Sequence, residues 1–348
     1  MQRICRSLAL VGHDVTLVGR VLKTSSELRQ ETYKQVRIKC WFEKGFLFYA
    51  EFNIRLFINS LKTDADTFCA IDLDTMLAVS LAAKWRNIPV VYDAHEHFTE
   101  MEEVVHRPFV RAVWKAVERK CVPSLRGAYT VSQTIADTFK VRYGMDMMLV
   151  RNMAVYDETY TPTFNLKERI ILYQGAVNHG RGLFALVSAM KHVDACLLIC
   201  GTGSVYADLK RFTCENGLEE KVAFKGRVMP DVLLQITRSS TLGITLFEAE
   251  GKSNYYSLAN RYFDYLQAGI PQLAMQYPEY QHLNTQYEVA CLIPAVEVDL
   301  IAKALNKLLS DRDYYKKLHN QACVARKEWN WQNEAKKLEA FYGRLAHK

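Results

Sequence analysis

RIILYQGAVNHGRGLFALVSAM, residues 169–190, is the stretch that decides the fold. Ile170 to Tyr173 form an apolar run of strand length, Gly175 marks a turn, and apolar residues then recur at helical spacing. Strand, glycine turn and helix are the unit of a parallel αβ sheet. The same alternation continues toward the C-terminus. ACLLICG (195–201), KVAFKG (221–226), LGITLF (242–247) and PQLAM (271–275) read as strands. Helices are expected near 182–191, 204–216, 230–238, 258–268, 297–309, 311–323 and 330–345.

Upstream the pattern runs a first time. DVTLVG (14–19), VRIKCW (36–41), TFCAID (67–72), PVVYD (89–93) and AYTVS (128–132) read as strands, with helices near 51–62, 75–86, 107–121 and 133–142. Apolar periodicity lapses over NMAVYDETYTPTFNL (152–166), so a linker is expected there. At 348 residues the chain is long enough for two cores. The expected division is 1–153, 154–325 and a closing helix at 326–348. The opening is unusual, because the chain starts with a helix (Gln2 to Val11) where a doubly wound domain starts with a strand. That first strand is central, and without it two strand edges are left unpaired. The expectation is a written sequence that begins at an internal methionine.

The bulk numbers narrow the function. The net charge of +7 is far from that of a nucleic-acid-binding tail and suits anionic substrates or an anionic membrane face. The nine cysteines are scattered, with no C-x-x-C, which points to a reducing compartment and no structural metal. No apolar run approaches the ~18 residues of a membrane span. The N-terminus makes a poor signal peptide, so a cytoplasmic protein is expected.

In doubly wound sheets ligands sit beyond the carboxyl ends of the strands. VVYDAHEHFTE delivers Asp93, His95, Glu96, His97 and Glu100 to one such exit, as a functional loop or as solvated decoration. After Gln174 comes the glycine turn, with Arg181 at the start of a helix. A guanidinium beside free backbone amides there suits a diphosphate, though a plain βα turn reads the same way. CGTGS (200–204) is read as a structural glycine turn. In GKSNYYSLANRYFDYLQAGIPQLA, Ser257 is expected to cap a helix carrying Asn260, Arg261 and Asp264, and Asp264 is either a ribose ligand or a surface acid. HRPFVRAVWKAVERKCV (106–122) places Arg107, Arg111, Lys115 and Arg119 four residues apart on an amphipathic helix, for a lipid surface or for plain solvent.

Taken together these motifs resemble the family-4 glycosyltransferases of the GT-B fold, especially bacterial enzymes of surface-polysaccharide assembly. The likeness runs nearly end to end. It rests on SLALVGHDVTLVGR, DLDTMLA, VVYDAHEHFTE, TVSQTIADTF, YQGAVNHGRGL, CGTGS, KVAFKGRV, SLANRYFDYLQAGIP and EWNWQNEAKKLEAFYGRL, in order. The resemblance implies an α/β fold of two Rossmann-like doubly wound domains facing each other across a cleft, here with the first strand missing. It implies a C-terminal domain that binds a nucleotide-sugar donor and an N-terminal domain that binds a glycan or lipid-linked acceptor, with configuration retained and no metal or other cofactor. Residue by residue it implies His95 at the transferred sugar, Arg181 on the diphosphate, and Asp264 on the ribose. Backbone at Gly175, Ala259 and Asn260 would approach the phosphates, Val228 would flank the base, and Arg261 is counted among the substrate-binding residues. The chain departs from the pattern at Tyr256, where the family has a glutamate, and at Ala176, where many members have an arginine. Three readings follow: a retaining transferase, which the closing helix and the DAHEH loop favour; a nucleotide-sugar epimerase of the same fold; and a non-catalytic binder.

Overall fold

A computed structural model describes every residue except Thr24, Ser26, Glu250, Gly251, His347 and Lys348. Gly251, which helps open the stretch read as carrying Asp264, therefore lies outside the described residues. The chain divides into two compact units, Met1–Arg151 with Glu334–Lys348, and Asn152–Asn333.

The first unit holds strands β1 (Thr16–Val21), β2 (Lys34–Lys39), β3 (Phe68–Ile71), β4 (Val90–Ala94), β5 (Gly127–Thr130) and β6 (Met148–Leu149). Its helices are α1 (Gln2–Leu10), α2 (Gly45–Lys62), α3 (Asp72–Arg86), α4 (Glu102–Val105), α5 (Pro108–Cys121) and α6 (Gln133–Tyr143). All pairings are parallel, but they make two sheets, β1–β2 and β3–β4–β5–β6. The break falls where a doubly wound order would seat a central strand. Phe48, Phe52 and Leu56 of α2 and Leu73, Met76 and Val79 of α3 bury one core with β3 and β4.

The second unit holds β7 (Ile170–Gln174), β8 (Cys196–Cys200), β9 (Val222–Gly226), β10 (Leu242–Thr245), β11 (Gln272–Met275) and β12 (Ala290–Ile293). Its helices are α7 (Leu183–Ala189), α8 (Tyr206–Glu215), α9 (Pro230–Ser239), α10 (Lys252–Tyr255), α11 (Asn260–Ala268), α12 (Pro278–Gln286), α13 (Val298–Ser310) and α14 (Arg312–Glu328); α15 (Trp331–Ala346) leads from this unit into the first. The strand order β12–β11–β10–β7–β8–β9 is the doubly wound one, and all pairs are parallel. β10 and β11 are buried throughout, as strands covered on both faces must be; their polar residues, Thr245 and Gln272, bond to each other at 3.0 Å. The order reverses between β7 and β10, so the crevice beyond those two strand ends is where this topology seats a ligand.

The strands and helices expected from sequence are present within a few residues. β6, β12, α4, α10 and α12 are additional. Among the described residues no helix is long and apolar enough to cross a membrane.

Candidate active site

The reversal point in the second unit is built by three segments. β7 ends at Gln174, and Gly175 follows with φ +131, an angle that favours glycine. β10 leads to Leu246 and Phe247. α11 crosses beside both. Its position is set by Tyr265, whose ring lies where a side chain on Gly243 would be, 2.3 Å from that Cβ position. The Tyr265 hydroxyl donates to Leu172 O (3.0 Å) and accepts from the Gln174 amide (3.2 Å). Arg261 is one turn earlier on the same helix face, so the staple at Tyr265 delivers its guanidinium to the Gly175 turn.

Arg261 is only 8% exposed. Its guanidinium donates to Leu246 O (3.1 Å) and the Tyr173 hydroxyl (3.4 Å) and lies 4.8 Å from the Tyr173 ring centroid and 4.7 Å from that of Phe247. Its Nε has no partner, and among the described residues it forms no ion pair with a carboxylate. Arg181 lies over the same Phe247 ring, at 4.6 Å. Two cations thus converge on one aromatic ring. Each is attracted to the ring and repelled by the other, a repulsion that a nearby anion would relieve.

Asp264 accepts from Gln174 Nε2 (2.8 Å), and Gln174 Oε1 accepts from Thr237 (2.8 Å), so the carboxylate is held at the sheet end by a buried amide. Asn260 is exposed at the start of α11. The Ala259 amide donates to the Tyr280 hydroxyl at 3.0 Å, which leaves Ala259 a positional part only. Ser257 does not cap α11 as expected. Its hydroxyl donates to Asn254 O, and the cap position is Ala259, without a side-chain bond.

Beside this lies a cavity of about 320 Å³ lined by Gly175, Ala176, Cys200, Gly201, Thr202, Arg227, Val228 and Leu233. It joins the turn after β7 to the Gly226–Arg227–Val228 turn. CGTGS forms its floor: a Cβ on Gly201 would fall 1.8 Å from Gly175 O, so the two turns approach as closely as backbone permits. Gly175 N–H to Cys200 O (2.9 Å) and Val177 N–H to Thr202 O (3.0 Å) lock them together. The structural reading of that motif therefore coexists with a place in the cavity wall.

In the first unit the exits of β3 and β4 gather Asp72, Asp74, Asp93 and His95. His95 Nε2 lies 3.2 Å from Asp93 Oδ2 and 3.1 Å from Met1 Sδ, and the His95 amide donates to Asp72 Oδ1 (2.9 Å). Burial pushes the Asp72 carboxyl up to about 7 and that of Asp74 to about 6. Glu100 is engaged elsewhere: both its oxygens accept from one Arg111 guanidinium nitrogen (2.6 Å each), with Lys115 at 3.8 Å. That pairing removes Arg111 from the basic stripe of α5 and leaves Arg107, Arg119 and Lys120 as exposed cations there. Among the described residues no cluster of three or more His, Cys, Asp or Glu side chains is arranged to hold a metal.

Comparison with known proteins agrees with this architecture. Residues 1–152 match the family model described as Glycosyltransferase Family 4, and residues 160–324 match that described as Glycosyl transferases group 1. No curated protein matches the sequence directly. Among solved structures, a sucrose-phosphate synthase from Thermosynechococcus elongatus is similar with a TM-score of 0.80 at 16% identity, over 99% of this chain and 92% of that one. WaaG, a glycosyltransferase involved in lipopolysaccharide biosynthesis, gives 0.72 at 13% identity, over 96% and 92%. Anabaena HepE, in complex with UDP and glucose, gives 0.71 at 12% identity, over 90% and 86%. With each half matched by a glycosyltransferase model and the whole folded as two Rossmann-like units of the GT-B kind, the chain belongs to the family-4-like glycosyltransferases.

Proposed function

We propose that the protein is a retaining hexosyltransferase that moves a sugar from a nucleotide-sugar to a glycan or lipid-linked acceptor in surface-polysaccharide synthesis. The observation that carries the donor half of this reading is the buried Arg261 guanidinium. It lies beside Gly175, shares the Phe247 ring with Arg181, and meets no carboxylate among the described residues. A buried cation without an anion is costly, and a donor diphosphate supplies two negative charges. Breaking the sugar–phosphate bond adds charge to the leaving group, which the two guanidiniums and the uncapped start of α11 would neutralise without a bound metal. In this reading Asp264 takes ribose hydroxyls, the base enters the cavity by Val228, and the Gly175 and Asn260 backbone approaches the phosphates. His95 meets the transferred sugar. The complexes of HepE with UDP and with UDP-glucose support a uridine donor.

The test is incubation with UDP-, GDP- and ADP-sugars, with and without glycan acceptors. Acceptor-dependent nucleotide release is the expected result. An isomerised sugar would indicate an epimerase, and binding without turnover a non-catalytic protein; either overturns the reading.

We further propose that the first unit rests peripherally on an anionic membrane through α5. Phe109 is 80% exposed and Val113 follows one turn on, with Arg107, Arg119 and Lys120 exposed on the same helix. Vesicles containing phosphatidylserine should sediment the protein, and Phe109→Ser with Lys120→Glu should abolish that. Sedimentation unchanged by both substitutions refutes the contact.

A further inference from the structure

Asp93 is a buried ionisable side chain that the transfer chemistry above leaves without a task. It is 1% exposed, and its position at the end of β4 is fixed by pairing with Ile71 on β3 and Tyr129 on β5. Neither of its carboxylate oxygens has an aligned hydrogen-bond partner. Among the described residues the basic side chain beside it is His95, two residues on, whose Nε2 stands 3.2 Å from Oδ2, an ion pair when the ring is protonated. Burying a carboxylate this deeply is expensive unless a positive group accompanies it.

The imidazole is held from its own backbone as well. The His95 amide donates to Asp72 Oδ1, and Asp72 itself sits in the left-handed region at φ 52, where a non-glycine residue is strained. The residue between Asp93 and His95 is held from β5, where the Thr130 hydroxyl donates to Ala94 O at 2.8 Å. Three parallel strand ends thus brace one histidine at the carboxyl edge of the sheet, the edge on which such folds do their chemistry.

We propose that Asp93 is a positioning residue for glycosyl transfer: it pins the His95 ring through Nε2 and holds it as an imidazolium, which turns Nδ1 into a hydrogen-bond donor for an oxygen of the transferred sugar. The proposal rests on the reading of His95 as the sugar-contacting histidine. Its chemistry is that of a carboxylate behind a histidine, which fixes both ring orientation and protonation state. The groups that face the ring are Asp93 from β4, Asp72 from the start of α3, and the terminal ammonium of Met1 beside α1. Burial and that ammonium oppose the charged ring. Asp93, joined by Asp72 where that carboxyl is ionised, outweighs them, and the His95 pKa stands above the ordinary histidine value.

The experiment is an NMR titration of the His95 ring in the whole protein, in wild type and in Asp93→Asn, which keeps shape and removes charge. In wild type the ring should titrate above the ordinary ~6.5. In Asp93→Asn it should titrate lower by about one pH unit or more, the usual effect of losing an adjacent opposite charge. A wild-type ring titrating at or below the ordinary value overturns the proposal without any variant. An unshifted ring in a folded Asp93→Asn protein overturns it as well. Calorimetry with UDP, GDP and ADP separates the two readings. Failure of wild type to bind any of them sinks the donor-site reading, whereas undiminished binding in Asp93→Asn with an unshifted His95 sinks this inference alone.

Discussion

Replacing Arg261 with methionine should lower nucleotide affinity while leaving the empty protein at least nearly as stable. Methionine keeps the apolar stem that packs against Tyr173 and Phe247 and removes the charge. Three terms set the effect on the ligand-free fold. Lost are the bonds to Leu246 O and the Tyr173 hydroxyl and two ring contacts at 4.7 and 4.8 Å; each ring contact is worth about 0.5–2 kcal/mol. Gained is relief from burying a cation that no carboxylate balances, a penalty of several kcal/mol in comparable sites. The sum should stay within about 1 kcal/mol of wild type or favour the variant. For a bound diphosphate, one charge-assisted hydrogen bond is worth about 1.5–3 kcal/mol. Its loss should weaken UDP binding roughly 10- to 150-fold. Calorimetric titration with UDP measures the second quantity and urea denaturation the first. A variant that unfolds several kcal/mol more easily yet binds UDP as wild type does would refute the reasoning, for Arg261 would then be a structural cation.

Asp264→Ala should weaken nucleotide binding by about 1–3 kcal/mol and also destabilise the fold, because Gln174 Nε2 loses its acceptor inside the protein; equal binding by both proteins in a titration would remove the ribose role. Gly201→Ala should cost more than about 3 kcal/mol of stability by thermal denaturation, since its Cβ would fall 1.8 Å from Gly175 O; a well-folded variant would mean the two turns can separate. Asp72, raised by burial to about 7, binds its proton more tightly folded than unfolded. The stability it contributes is therefore complete below about pH 4 and is lost as pH rises through about 7. Asp72→Asn should flatten that slope in urea denaturation between pH 4 and 8, and an unchanged slope would contradict the assignment.

Much of the fold was legible because parallel strands covered on both faces leave continuous apolar runs, as in β7 and β10, and because Gly175 and Gly269 punctuate them. β12, ACLI, is as short and apolar as the strands that were read, but it follows a polar stretch, HLNTQYE, with no glycine to punctuate it, and so passed for loop. α12 was missed because PEYQHLNTQ shows no clear apolar stripe. The site was legible one strand exit at a time, through Arg181, Arg261 and Asp264. What joins them was not: Phe247 reads as the end of a strand, and nothing in the spacing brings it to residues 181 and 261. Likewise Gln174 reads as a strand residue, and its hold on Asp264, ninety positions away, comes from packing. On α5 the sequence shows a basic stripe, but the capture of Arg111 by Glu100 depends on a loop return that periodicity does not encode.

The central claim is that the second unit holds a pyrophosphate between the turn after Gln174 and the start of α11. A crystal structure of the protein soaked with UDP tests it most directly. The diphosphate is expected against Gly175, Arg181 and Arg261, with the ribose at Asp264. UDP bound elsewhere, with both guanidiniums unmoved and without an anion, would contradict it.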